Sequence, residues 1–286
     1  MKTLSTELLA EYRQKSFRTS ASYRLRSQKE AVHFVNERGF VLFWPSKGIT
    51  MPSLWNAVAG DRPVPDDHDD PAHISWSWKD ELLDKRVWYY GRILHKRNTI
   101  ISLQTIPYFY ALSPNYGDPE AEINDQYYQG LIPIEAKNIF ETLLDKGPLD
   151  SITLRREAHL TGSNSNAPFT RALDMLQRDL RVLPVAVSDA GAWHYAFVYD
   201  LTHRYHPELP EQSRFITENQ ARTHLLECYL RSVGAATKKQ IRSLFGWTED
   251  QSEKAISKLQ QAEFIGQPIQ LESSKNPVYC LNELAG

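Results

Sequence analysis

One order of elements occurs twice in this chain, and a repeated supersecondary unit restricts the fold more than any single segment does. In the last third, a helix expected over Asn219–Val233 is followed by Thr237-Lys-Lys-Gln240 and Thr248-Glu-Asp-Gln251. Both fit the S/T-x-x-E/Q capping box, in which hydroxyl and amide side chains satisfy backbone N–H groups orphaned at a helix start. The first opens a short amphipathic helix with Ile241, Leu244 and Phe245 on one stripe, closed by Gly246. The second opens a longer helix with Ala255, Ile256 and Leu259 inward. A hairpin follows, from Pro268–Glu272 to Val278–Leu281. Helix, short helix, longer helix and hairpin make a winged helix. The same order occurs earlier: a helix over Ile134–Lys146, a break at Gly147-Pro148, and a short helix over Ser151–His159. Then Asn166 N-caps a longer helix with Phe169, Ala172, Leu173, Leu176 and Leu180 at helical spacing. Val182–Val187 and Trp193–Tyr199 form its hairpin, and Arg155 and Arg242 fall at equivalent places 87 residues apart.

A third, looser copy fills the N-terminal half. Ser27-Gln-Lys-Glu30 is another capping box and opens a helix ending at Gly39. The next residues, Phe40-Val41-Leu42-Phe43-Trp44, read as an apolar strand, stopped by Pro45 and a turn through Ser46-Lys47-Gly48. Val87–Leu94 and Thr99–Leu103, rich in aromatic and β-branched residues, flank the polar turn His95-Lys96-Arg97-Asn98 as a hairpin. Arg62–His73 and Pro114–Asp125 read as loops. The expected class is a mainly helical α+β fold of tandem winged helices with β-hairpin wings. Its expected division is an N-terminal region over 1–133 and winged helices over 134–205 and 206–286.

Composition narrows the function classes. A 41% hydrophobic and 24% charged content is ordinary for a soluble protein. No apolar run is long enough to span a membrane, and the first residues carry no secretory h-region. Cys228 and Cys280 are the only cysteines, which argues against a disulfide framework and fits a reducing cytoplasm. The net charge is −2, yet residues 1–50 hold nine Lys/Arg against four Glu, and 85–97 add Lys85, Arg86, Arg92, Lys96 and Arg97 without an acid. That unevenness suits either a polyanion-binding face or scattered solvated charge. No GxGxxG, P-loop, GxSxG or HExxH occurs, so no nucleotide cofactor or zincin chemistry is expected. The Asp66-Asp67-His68-Asp69-Asp70 run with His73 reads as a flexible acidic loop, and no metal site is assigned.

Several stretches resemble the AlkZ/YcaQ-like DNA glycosylases, a family built of tandem winged helices. The resemblance is carried by KGPLDSITLRREAHL, APFTRALDMLQRDLRVLPV and LRSVGAATKKQIRSLFGWTED, and also by GFVLFWPSKGITMPSLW and LQTIPYFYALS. It implies a protein that binds duplex DNA and removes alkylated or crosslinked purines by cutting the N-glycosidic bond. The family's enzymes hold the attacking water with a Gln-x-Gln or Gln-x-Asp motif just after the glycine that ends an early helix. Phe43 and Pro45 stand at those two places here, and neither side chain accepts a proton or hydrogen-bonds a water. The chain is thus a divergent member lacking the motif.

Other residues are candidates for the missing work. Asp80 and Glu81, beside Trp76 and Trp78 in SWSWKDELL, are candidate bases against an apolar wall; the plainer reading is an acidic pair that begins a helix. Trp44, Trp76, Trp78 and Tyr89 are candidates for stacking on an unpaired base, or else core rings. Candidate phosphate contacts are Lys79, Arg92, His95, Lys96 and Arg97 around the N-terminal hairpin, with Arg171, Arg178, Lys238, Lys239 and Arg242 in the two clear repeats. Three functions follow: a monomeric DNA-binding protein without the family's water-activating motif, an active glycosylase using another carboxylate, or a regulator-like or protein-interaction winged-helix module.

Overall fold

The computed structural model describes residues 3–67, 69–115, 118–162, 164–191, 194–274 and 276–285. Along the chain run β1 (Thr3–Leu4), α1 (Thr6–Ser16), α2 (Gln28–Arg38), β2 (Phe40–Leu42), α3 (Leu54–Ala59), α4 (Ile74–Leu83), β3 (Trp88–Leu94), β4 (Arg97–Ser102), α5 (Ile106–Tyr110) and α6 (Pro119–Tyr128). Then come α7 (Ile134–Lys146), β5 (Leu149–Asp150), α8 (Ser151–Glu157), α9 (Asn166–Arg178), β6 (Val182–Ser188), β7 (Ala196–Leu201), α10 (Thr202–Tyr205) and α11 (Leu209–Ser213). The chain closes with α12 (Glu218–Val233), β8 (Ala235–Ala236), α13 (Lys238–Phe245), α14 (Glu249–Gln261), β9 (Ile269–Leu271) and β10 (Pro277–Cys280). The class is mixed α and β, mainly helical, and its strands form three small sheets among the described residues, ordered β2-β4-β3, β5-β7-β6 and β1-β9-β10-β8.

Helices and strands form at the places expected in the two repeated stretches, with local differences. Thr217, Thr237 and Thr248 all make reciprocal capping boxes with the glutamine three residues on. Ser27 makes only half of one: its hydroxyl accepts from Glu30 N–H, but the Glu30 carboxylate accepts from Arg26 N–H at 2.6 Å. Asn166 is the first residue of α9 rather than its cap, and its side-chain Oδ1 accepts from Arg155. Trp193, placed in the second hairpin by sequence, lies outside the described residues, and β7 begins at Ala196. One expected loop is partly a helix: Asp118 accepts from Glu120 N–H and Ala121 N–H, Pro119 fills the first turn, and α6 runs on to Tyr128. Asp-Pro-Glu is a helix-start signal, since proline needs no donor there and acids suit the dipole.

The β2-β4-β3 sheet explains the apolar run that follows Gly39. Its strands are covered on both faces, so both alternating sets of side chains are apolar. One set, with Phe40, Leu42, Tyr89 and Ile101, joins a core that includes Leu226, Tyr229 and Val233 of α12. The other, with Val41, Phe43, Tyr90 and Ile100, packs against Phe34, Trp78 and Leu82. The N-terminal sheet is therefore wedged between its own helices and the last unit. Gly39 makes that wedge possible: its φ is +79°, and a Cβ there would lie 2.9 Å from Cys228 Sγ and 3.0 Å from Thr105 Oγ1.

The chain start departs from the expected division. β1 pairs in parallel with β9, and the Ser16 hydroxyl donates to Ser232 O at 2.7 Å, so residues 3–16 belong to the last sheet and its helix rather than to the N-terminal region. A sequence division at 133 and 205 cannot detect a two-residue strand whose partner lies at the other end. Cys228 and Cys280 are not joined in a disulfide. No helix among the described residues is long and apolar enough to cross a membrane.

Candidate nucleic-acid interface

Of the two residues that the sequence resemblance aligns with the family's motif, Phe43 lies inside the core. Phe43 is 1% exposed, its N–H donates to Asn98 O at 2.8 Å, and its ring packs edge-on against Trp44 at 4.6 Å. Pro45 is exposed on the turn that follows. A buried phenyl ring and a turn proline offer no group that hydrogen-bonds a nucleophilic water at these two positions.

Beside Phe43 lies a polar cluster that the strand pattern alone does not reveal. Lys79, three residues after Trp76 on α4, is 1% exposed rather than free to meet phosphate. Its ammonium sits 4.5 Å from the Phe197 ring centroid and 5.4–5.6 Å from those of Phe43, Trp76, Tyr90 and Tyr195. Such an aromatic enclosure favours a cation electrostatically, while the loss of water disfavours it. Burial accordingly pushes the Lys79 ammonium below the ordinary lysine value, opposed by its ion pair with Asp80. Tyr195 closes the cluster. Its oxygen accepts from Lys79 Nζ at 2.9 Å and Trp76 Nε1 at 3.1 Å, and its O–H donates to Asp80 Oδ1 at 3.0 Å. Burial and the neighbouring Asp80 carboxylate raise the Tyr195 phenol, so it stays a neutral donor.

Asp80 and Glu81 do not begin a helix. They lie in the second half of α4, which ends at Leu83, where the negative end of the helix dipole opposes an acid. Glu81 accepts from Gln28 Nε2. Of the candidate stacking rings, Tyr89 is fully buried with its hydroxyl 3.1 Å from Thr202 Oγ1, and Trp78 is buried among Leu82, Leu83 and Tyr90. Both are core. Trp76 is 38% exposed and stands 5.9 Å from half-buried Trp44, so these two rings alone of the four reach the surface.

The basic candidates separate by their partners. Arg92 is tied to Asp174 at 2.7 Å, and its N–H donates to Gln177, which joins β3 to α9. Arg178 pairs with Asp179, Lys238 with Glu249 and Glu253, and Arg242 with Glu249. Arg171 is exposed on α9. The β3–β4 turn is tighter than its four-residue polar stretch suggests: Leu94 pairs with Arg97, and His95 and Lys96 take the φ values +50° and +57°. That two-residue geometry, which normally favours Asn or Gly, thrusts the charged tip outward. The tip rests on α13, where His95 Nε2 meets Ser243 O. A cleft of about 140 Å³ there is lined by Gly48, Ile49, Thr50, His95, Lys239 and Gln240. The 46–48 turn, the hairpin tip and α13 thus converge. Lys47, Lys96, Arg97 and Lys239 are exposed around this junction, and none pairs with an acid among the described residues. Lys47 and Tyr195 were not among the sequence candidates; neither carries a local signal, because tertiary contacts bring both to their sites.

No group of three or more His, Cys, Asp or Glu among the described residues is arranged to hold a metal ion. Asp70 instead pairs with Arg62 at 2.6 Å and caps the turn at Pro71, while His68 lies outside the described residues. A comparison with curated protein sequences finds no match. In three dimensions the chain is similar to the Streptomyces sahachiroi DNA glycosylase AlkZ, with a TM-score of 0.58 and 13% identity over 99% of this chain and 71% of that one. At that identity the likeness is one of fold. The profile of the AlkZ-related family matches residues 25–246. That span holds the buried Phe43, the Lys79–Asp80–Tyr195 cluster, the hairpin tip and all of α13, and by it the chain belongs to the AlkZ-related family.

Proposed function

We propose that this protein binds duplex DNA and recognises damaged sites in it, those carrying alkylated or crosslinked purines, without the family's motif-based water activation. The observation that carries this reading is the junction of the 46–48 turn, the β3–β4 tip and α13. Four cations project there without acidic partners among the described residues, on segments that the fold brings together. Phosphate contacts of this kind give affinity and register without reading sequence. Membership of the AlkZ-related family supports the choice of DNA over other polyanions. The Trp44–Trp76 pair offers an apolar face for a base extruded from the stack. We read each of the three sheets with its helices as a winged-helix unit, the first unit being the looser. Glu249, Asp250 and Glu253 at the start of α14 repel phosphate and make that helix scaffold rather than a reading helix.

The test is titration of fluorescent duplexes, unmodified and carrying a single N7-methylguanine, at low salt. Binding that weakens with salt and favours the modified duplex is expected. Absence of binding to either duplex refutes the reading and leaves a protein-interaction role.

A further inference from the structure

We propose that Asp80 is a water-activating carboxylate for N-glycosidic hydrolysis, held in place by Lys79 and Tyr195. The inference rests on the DNA-binding reading above and adds to it a catalytic group. The geometry divides the carboxylate into two unequal halves. Oδ1 accepts from both Lys79 Nζ and Tyr195 O–H, whereas Oδ2 has no partner among the described residues. The Asp80 side chain is 19% exposed, so water reaches it, and it opens onto a cavity of about 640 Å³ bordered by Gln28, Glu81, Lys85 and Val187. A base for hydrolysis needs one fixed oxygen and one free to take a proton.

The surroundings fit the same role. Asp80 sits where the α4 dipole opposes it, so local helix energetics do not account for an acid there, and a broken local rule is a mark of function. Its anchor is the ammonium 5.6 Å from the Phe43 ring, which places the cluster alongside the position vacated by the family's motif. Lys79 is not the nucleophile: at 1% exposure, enclosed by five rings, its amine does not reach a sugar. It is a positioning residue, as is Tyr195.

The step balances without another reactant. Water oxygen bonds to C1′ of the lesion nucleotide as the C1′–N9 bond breaks. The bonding pair goes to the purine, which leaves neutral because N7 alkylation had made it cationic. The proton of the water passes to Asp80 Oδ2 and then to solvent.

The experiment is single-turnover release of N7-methylguanine from a duplex, with duplex affinity measured on the same samples. Release by the wild type is expected, and Asp80→Asn lowers it by about 100-fold or more while affinity changes less than about threefold. Tyr195→Phe, which removes one donor to Oδ1, slows release while duplex affinity holds, a split that simple loss of stability does not produce. Wild-type binding without release overturns the Asp80 assignment and leaves the DNA-binding reading intact; absence of binding sinks both. Release lost in Glu81→Gln but kept in Asp80→Asn also overturns it. Should Asp80→Asn not fold, wild-type affinity decides. A duplex with a cationic pyrrolidine abasic analogue then binds about tenfold or more tighter than one with neutral tetrahydrofuran; equal affinity overturns the proposal.

Discussion

Replacing Lys96 and Arg97 together by alanine tests the phosphate-binding junction quantitatively. Both residues are exposed at the β3–β4 tip and lack acidic partners among the described residues, so each is free to displace a counterion from DNA. Each neutralised phosphate contributes about 0.9 to the slope of log K against log salt, so the double variant loses about 1.8 from that slope. Across the fourfold range from about 50 to about 200 mM salt, the wild type then loses about 12-fold more affinity than the variant does. Anisotropy titrations of a labelled duplex at five salt concentrations resolve a difference of that size. The matched control removes the same formal charge elsewhere. Lys238 and Arg242 are already neutralised by Glu249 and Glu253, so Lys238→Ala with Arg242→Ala changes the slope by less than about 0.5. Equal slopes for the tip variant and the wild type, or a larger loss in the control pair, refute the assignment of the tip.

Three further outcomes follow from the packing. Gly39→Ala forces an alanine into φ +79° and its Cβ to within 2.9 Å of Cys228 Sγ, and costs about 1–3 kcal/mol in urea unfolding. Phe43→Gln places an amide where the sequence resemblance aligns the family's motif, but it removes a ring 1% exposed and buries a polar group; a loss of about 3 kcal/mol is expected, with no gain in base release. Burial holds His206 below the ordinary histidine value against the pull of Glu208, and His203 and His224 are also lowered, chiefly by burial. The unfolded chain therefore binds more protons between the depressed folded values and about 6.5, and stability falls as pH drops through that window. Tm should decline from about pH 7.5 to about pH 5.5, and His206→Gln should flatten that decline; an identical pH dependence in the variant counts against it.

The parts of this fold that were legible are those written in local chemistry. Capping boxes at Thr237 and Thr248 put α13 and α14 where the side chains satisfy orphan N–H groups, and the polar turn between aromatic strands marked the β3–β4 tip. The helix α6 carried such a signal in Asp118-Pro119-Glu120, outweighed by the surrounding turn formers. Lys79 was not legible. Its sequence neighbours suggest a surface cation, and it is buried because Tyr195 and Phe197, more than a hundred residues away, complete its enclosure. The same distance hid the division of Asp80 into a held and an open oxygen. Arg92 likewise looked free beside Lys96, and Asp174 of a different unit claims it. Chemistry set by a residue's own helix or turn can be read from sequence; chemistry set by a partner from another unit cannot.

The pairing of β1 with β9 has a consequence for synthesis. Leu4 lies opposite Leu271, and Glu272 N–H donates to Leu4 O at 3.1 Å, so the strand Thr3–Leu4 docks against one at Ile269–Leu271. During translation β1 has no strand to pair with until about residue 271 leaves the ribosome, whereas α12, which packs on α1, is made earlier. Contacts of such long sequence separation form late, because the whole intervening loop must first be closed. The β1 strand is thus made well before the strand that seats it, and its pairing belongs to the late contacts of folding.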